Sequence, residues 1–205
     1  MTDLLDRPHV WRDGAGDPPL LLLHGTGGDE HDLLALAEQL SPASPMLSPR
    51  GAVLEHGMPR FFRRLAEGVF DEDDLRLRTD DLAEFVSAAA DEHDVAPGSF
   101  VAVGFSNGAN IASSLLMRRP EVLGGAVLLA AMVPYQTPPM EADLSRHLVV
   151  VSNGRRDPMA TPEQTHTLVD QLRGLGADVH ELPFDGGHTI DPAQLARISK
   201  LFRAA

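Results

Sequence analysis

No cysteine occurs in the 205 residues, which excludes a disulfide framework, a thiolate zinc site, an iron–sulfur cluster and a cysteine nucleophile. Any covalent catalysis must use another group. Bases are also scarce. There are 17 against 30 acids, all but Lys200 being arginine, and the formal charge is −13. Such a balance opposes binding to a phosphate backbone, so no nucleic-acid partner is expected. Long apolar runs are missing as well, since no stretch reaches about 18 residues. Met1 to Pro19 has no apolar core between a basic start and a small-residue cleavage site. The expectation is a cytoplasmic protein without membrane insertion. No internal repeat or low-complexity linker interrupts the chain, and 43% hydrophobic content suffices for one substantial core. We therefore expect a single domain spanning 1–205.

Short apolar runs alternate with longer segments of helical period. This pattern predicts an α/β fold with a mostly parallel central sheet and helices on both faces. Strands are expected at Leu20 to Leu23, around Met46 and Leu47, and at Phe100 to Val103, Ala126 to Leu129, Leu148 to Val151 and Val179 to Leu182. Helices are expected at Glu30 to Leu40, Asp71 to Asp94, Asn107 to Arg118, Pro162 to Leu175 and Pro192 to Phe202. The acidic opening of the second suits a helix N-terminus, and Pro162 and Pro192 suit a first turn. Arg50 to Gly68 has weak periodicity and is expected to be a long loop with a helical turn near Phe61 to Ala66.

The strongest chemical signal is Gly104-Phe105-Ser106-Asn107-Gly108, where an apolar strand meets a helix. A serine in so sharp a turn is strained, and side chains two positions either side of it would collide, which explains both glycines. Average composition would produce this pattern about 0.07 times in a chain of this length. The plain alternative is a serine that caps the helix. A serine hydroxyl needs a base and an orienting acid; this strand–turn–helix serine resembles the nucleophile elbow of the α/β-hydrolases, which implies the order Ser, Asp, His along the chain. Asp157 in Asn153-Gly154-Arg155-Arg156-Asp157-Pro158 and His188 in Asp185-Gly186-Gly187-His188 both follow strands. Asp185 and Asp191 compete for the acid role, but they share the histidine's own loop and reach its far ring nitrogen poorly. His9, His56, His93, His147, His166 and His180 lack a matching acid. His31 reads as a first-turn helix residue, and His24 as a residue that holds the following loop.

Attack on an ester carbonyl builds negative charge on oxygen. The turn His24-Gly25-Thr26-Gly27-Gly28 can aim a backbone N–H at that charge, so Thr26 is the expected first oxyanion donor. The N–H of Asn107, beside the serine at a helix's positive end, is the expected second. These glycines do not make a phosphate loop, because the lysine and serine that should follow are missing.

With these residues the sequence resembles the α/β-hydrolase superfamily, in its small phospholipase and carboxylesterase branch. The resemblance rests on Leu-His-Gly-Thr-Gly-Gly-Asp-Glu at 23 to 30, Ser-Pro-Arg-Gly at 48 to 51, Gly-Phe-Ser-Asn-Gly at 104 to 108, Asn-Gly-Arg-Arg-Asp-Pro at 153 to 158 and Gly-Gly-His at 186 to 188. It implies Ser106 as nucleophile, His188 as base and then acid, Asp157 as its orienting partner, and oxyanion donors at Thr26 and Asn107. Thr26 replaces one glycine of the lipase pattern His-Gly-Gly-Gly. The implied activity is a serine carboxylesterase acting on small carboxylic esters, needing no cofactor and no metal. A thioesterase or lysophospholipase would use the same triad, and a non-catalytic ligand-binding protein could keep the same fold. A homodimer is compatible with the resemblance, and light scattering distinguishes it from a monomer.

Many relatives insert a cap domain after the strand equivalent to Ala126 to Leu129. Here only Ala130 to His147 separates that strand from the next, so no cap domain fits. The expectation is an open cleft bordered by Met132, Val133 and Tyr135 on one side and Arg60-Phe61-Phe62-Arg63-Arg64 on the other. Arg60, Phe61 and Met132 are then candidate substrate contacts, suited to an apolar or aromatic acyl part and an anionic group. The alternative puts Phe61 and Phe62 in the core with the arginines solvated.

Overall fold

The computed structural model describes residues 4–16, 18–139 and 141–204. Its strands are β1 (His9–Arg12), β2 (Leu20–Leu23), β3 (Met46–Pro49), β4 (Val53–Glu55), β5 (Met58–Arg60), β6 (Arg64–Ala66), β7 (Val69–Phe70), β8 (Phe100–Phe105), β9 (Leu123–Leu129), β10 (Leu148–Ser152) and β11 (Asp178–Glu181). The helices are α1 (Leu34–Leu40), α2 (Glu72–Glu92), α3 (Asn107–Arg118), α4 (Pro162–Gly174) and α5 (Pro192–Ala204). The main sheet runs β1-β3-β2-β8-β9-β10-β11. All its pairings are parallel except β1 with β3. From β2 the chain moves outward to β3 and then returns past β2 to β8. The switch point of the topology therefore lies between β2 and β8, where an open α/β sheet leaves a crevice at its strands' carboxyl ends.

Four consecutive leucines form β2 because both of its faces are buried. Leu21 and Leu23 join the core shared with α2, α3 and α4, whereas Leu20 and Leu22 join the core shared with α1 and α5. Each fully buried leucine contributes about 1.5–3 kcal/mol of apolar burial, and the unbroken run commits the strand to the sheet interior. Asp71 caps α2 by accepting from the Asp74 N–H at 3.1 Å, with Glu72, Asp73 and Asp74 in the first turn. Thr161 does the same for α4. Residues 130–147 form no helix or strand among those described, so no cap domain is present. None of the described helices is long and apolar enough to cross a membrane.

Three elements differ from expectation. The helix expected from Glu30 starts at Leu34, because Asp29 Oδ1 takes the His31 N–H at 2.8 Å and Glu30 turns toward Arg50. The edge strand β1 was not foreseen; its residues, three half-buried and Arg12 exposed, carry no clear alternation. Arg50 to Gly68 is not a loop with a helical turn but contains β4–β5 and most of a second hairpin, β6–β7. His56 and Gly57 both have positive φ, 51° and 82°, which matches the twist of a two-residue hairpin connection. Phe61 and Phe62 between the hairpins are drawn into the core.

Candidate active site

Ser106 ends β8 and begins α3 with φ 52° and ψ −113°, a strained position that costs about 1–3 kcal/mol. Its N–H donates to Leu129 O at 2.9 Å, and its carbonyl accepts from Asn110 N–H at 3.0 Å. A Cβ at Gly104 would lie 2.6 Å from the Gly108 carbonyl oxygen, and one at Gly108 would overlap the Leu23 carbonyl. The flanking glycines are thus required by close backbone approach, to each other and to β2.

His188 Nε2 lies 2.9 Å from Ser106 Oγ, and its Nδ1 lies 2.7 Å from Asp157 Oδ2. The second carboxylate oxygen of Asp157 accepts the N–H groups of Met159 at 2.8 Å and Ala160 at 3.0 Å. A carboxylate so held accepts a hydrogen bond from the Nδ1–H and leaves Nε2 as acceptor toward the hydroxyl. The Asp157 side chain is 0% exposed and that of His188 is 19% exposed, so acid and base differ in access to solvent. Their loops are laced together: the Arg155 N–H donates to Phe184 O at 2.9 Å, and the Arg156 N–H to Gly186 O at 2.8 Å. Asp185 instead pairs with Arg156 at the surface, and Asp191 accepts the Ala193 N–H at the start of α5.

The turn after β2 brings Thr26 to the same cleft. Neither Thr26 N–H nor Asn107 N–H has an acceptor among the described residues. Several contacts hold this turn. His24 is buried, its Nδ1 donating to Gly25 O at 2.7 Å and its Nε2 accepting the Gly51 N–H at 2.9 Å. Burial is the main cause that holds its pKa below the ordinary value. Glu30 meets Arg50 through two hydrogen bonds of 2.5 and 2.7 Å, and this contact chiefly lowers the Glu30 pKa. The Gly27 N–H donates to Pro59 O at 2.9 Å. Arg60 Nη1 donates to Thr26 Oγ1 at 2.8 Å and lies 3.2 Å from Glu55.

The cleft beside Ser106 has a volume of about 330 Å³ and is lined by Thr26, Asn107, Met132 and His188 as expected. Several of the expected border residues need correction: Val133 lines the neighbouring compartment, Phe62 is buried in the core and Arg63 turns to Asp71. Phe61 is 2% exposed and packs in the core, with its backbone N–H held by Asn107 Oδ1 at 2.7 Å, so its ring does not border the cleft. Tyr135 is also buried, bonded to Ser114 Oγ, because the apolar core accepts its ring and Ser114 its hydroxyl; burial raises its pKa. Arg60 does reach the cleft, but its guanidinium is engaged by Thr26, Glu55 and Phe62 O. Its pKa is lowered chiefly by burial, without loss of charge. Arg64, more exposed, shares Glu55 with it.

Three amides were missed. Asn153 Oδ1, Asn110 Oδ1 and Gln164 Oε1 accept the successive N–H groups of Ala131, Met132 and Val133 at 2.9, 2.8 and 3.0 Å. Asn110 could have been found as an amide one helical turn after Ser106. Gln164 on α4 offers no such signal. Among the described residues no cluster of three or more histidines or carboxylates could hold a metal ion.

No protein-family model matches the chain. MhqD of Bacillus subtilis (strain 168), a protein named as a hydrolase, is 44% identical over 197 residues, covering 96% of this chain and 98% of its own. The Bacillus cereus carboxylesterase superposes with a TM-score of 0.94 at 41% identity, over 99% of each chain. A carboxylesterase from Mesorhizobium loti gives 0.92 at 28% identity, over 100% of this chain and 98% of the other. With that fold, and with relatives so similar over nearly the whole length, the chain belongs to the phospholipase/carboxylesterase branch of the α/β-hydrolase superfamily and is an ester-hydrolysing enzyme.

Proposed function

We propose that this esterase cleaves small carboxylic esters by acyl transfer through Ser106. The observation that carries the reading is the continuous hydrogen-bonded line from Asp157 Oδ2 through both nitrogens of His188 to Ser106 Oγ. Ser106 attacks the carbonyl carbon while His188 Nε2 takes its proton; the same proton then goes to the alcohol as the C–O bond breaks. Water, deprotonated by His188, next attacks the acyl-enzyme, and the acid leaves as Ser106 regains its proton. Asp157 fixes the ring and stabilises the imidazolium that forms twice in each cycle. The unengaged N–H groups of Thr26 and Asn107 support a role as donors to the tetrahedral oxyanion.

Because the Arg60 guanidinium holds Thr26, its role in this reading is to position the first oxyanion donor; Arg64, bonded to Glu55 through its Nε but also lining the cleft, is the cation placed to meet an anionic substrate group. The function is tested with p-nitrophenyl acetate. Wild type should show a burst of p-nitrophenol followed by steady turnover, and Ser106→Ala should show neither. Retention of most activity by Ser106→Ala would refute the assignment.

A further inference from the structure

Met132 lines two compartments at once. One is the cleft of about 330 Å³ at Ser106; the other, of about 400 Å³, is bordered by Val69, Val133, Pro134, Gln164 and Thr167. Gly68 and Phe70 border both as well. A Cβ built at Gly68 would lie 3.9 Å from Met132 Cε, so the tip of the β6–β7 hairpin faces the end of the methionine side chain.

The mounting of this side chain is unusual. Residues 131–133 lie outside any helix or strand, yet the three successive N–H groups are each taken by a side-chain amide from a different part of the fold. Asn110 reaches from α3, Asn153 from the end of β10 and Gln164 from α4. Asn153 Nδ2 adds a donor bond to Ala131 O at 2.8 Å. The backbone is therefore held, while the unbranched thioether keeps its rotatable bonds. A rigidly mounted, adaptable side chain opposite a residue with no side chain is suited to divide a cleft.

We infer that Met132 is a specificity-determining partition: it confines the substrate to the compartment at Ser106, making the enzyme selective for esters with short chains, and its removal opens the second compartment to longer ones. This rests on Ser106 being the reacting residue. The second compartment has an apolar wall of Val69, Val133 and Pro134 facing a polar one with Glu72, Glu163, Gln164 and Gln171; an alkyl chain would lie along the first wall. One missing contact in an apolar pocket changes discrimination by roughly 10- to 200-fold, which sets the size of effect to look for.

The test compares kcat/KM along p-nitrophenyl acetate, butyrate, hexanoate and octanoate, and along ethyl to octyl acetates, within each variant. The ratio of long to short ester cancels losses of fold or of triad geometry. Wild type should favour the short members. Met132→Ala should raise the long-to-short ratio about tenfold in one of the two series, and Met132→Leu, which preserves volume, should keep the wild-type ratio. Adding Thr167→Trp to Met132→Ala, to fill the second compartment from exposed α4, should return the ratio to that of wild type. An unchanged ratio in both series, a gain that survives Thr167→Trp, or a wild type that already favours octyl chains overturns the partition. Hydrolysis of the acetate that persists in Ser106→Ala would instead overturn the underlying reading, so the two failures are distinguishable.

Discussion

The cleft has two unlike walls. Along the carboxyl edge of the sheet, Ser106, Asp157 and His188 are held by backbone: the crowded elbow against Leu23, the strained φ at the serine, and the N–H to carbonyl lacing between the two later loops. The opposing wall, β4 to β7, is attached largely through side chains. Arg60 reaches Thr26, Asn107 takes the Phe61 N–H, Asp74 takes the Arg63 N–H, and Glu55 serves two arginines. Backbone crowding leaves one residue type at a position, whereas side-chain attachment admits alternatives. The first wall thus suits the reaction itself, and the second suits adjustment of what is admitted and how firmly the oxyanion turn is held.

Substitutions can break or sharpen this contrast. The largest effect belongs to the first wall. Ser106→Ala should lower kcat by roughly four to six orders of magnitude, whereas Ser106→Gly should do the same and raise stability by about 1 kcal/mol by relieving the strained φ. Stopped-flow assays and denaturant melts would check both, and a destabilised Ser106→Gly would contradict the strain argument. On the second wall, Arg60→Met should lower kcat by about ten- to a hundredfold through misplacement of Thr26, with KM little changed and equally for neutral and acidic aryl esters. A loss confined to acidic esters would return Arg60 to substrate binding.

A smaller effect concerns the turn that joins the walls. Burial holds His24 neutral, with a pKa below 6.5. The unfolded chain then binds the proton more readily, so this contribution to stability is complete above about pH 6.5 and is lost as pH falls from there toward the folded-state value. Melting temperatures measured at about pH 7.5 and about pH 5 should fall further in wild type than in His24→Gln; equal falls would remove the claim. Smallest of all, Asp185→Asn should change kcat/KM by less than about twofold, because its pair with Arg156 is exposed, and that null effect sharpens the difference from buried Asp157.

The same contrast governs how far the amino-acid sequence could be read. The bounds of β2 and α3 and the start of α2 near Asp71 were legible because their causes are local: an apolar run, glycines around a serine, acids in a first turn. Residues 106, 157 and 188, expected from motifs far apart in the chain, lie within hydrogen-bonding distance in the fold. The hairpins were not legible. Their strands are two or three residues long, and what holds them lies outside them, at Asp74 and, far along the chain, at Thr26 and Asn107. Phe61 looked like a cleft residue for that reason, since nothing nearby in sequence shows its N–H bound to Asn107 and its ring in the core. Met132 was named as a contact, but the three amides that mount its backbone come from α3, β10 and α4 and have no common spacing.

The most direct test of the central claim, that Asp157 and His188 make the Ser106 hydroxyl nucleophilic, is mass spectrometry after fluorophosphonate treatment. A single adduct on the peptide carrying Ser106, present in wild type and lost in a folded His188→Ala, is the result the account predicts. An adduct on another residue, or labelling of Ser106 that proceeds as fast without His188, would contradict it.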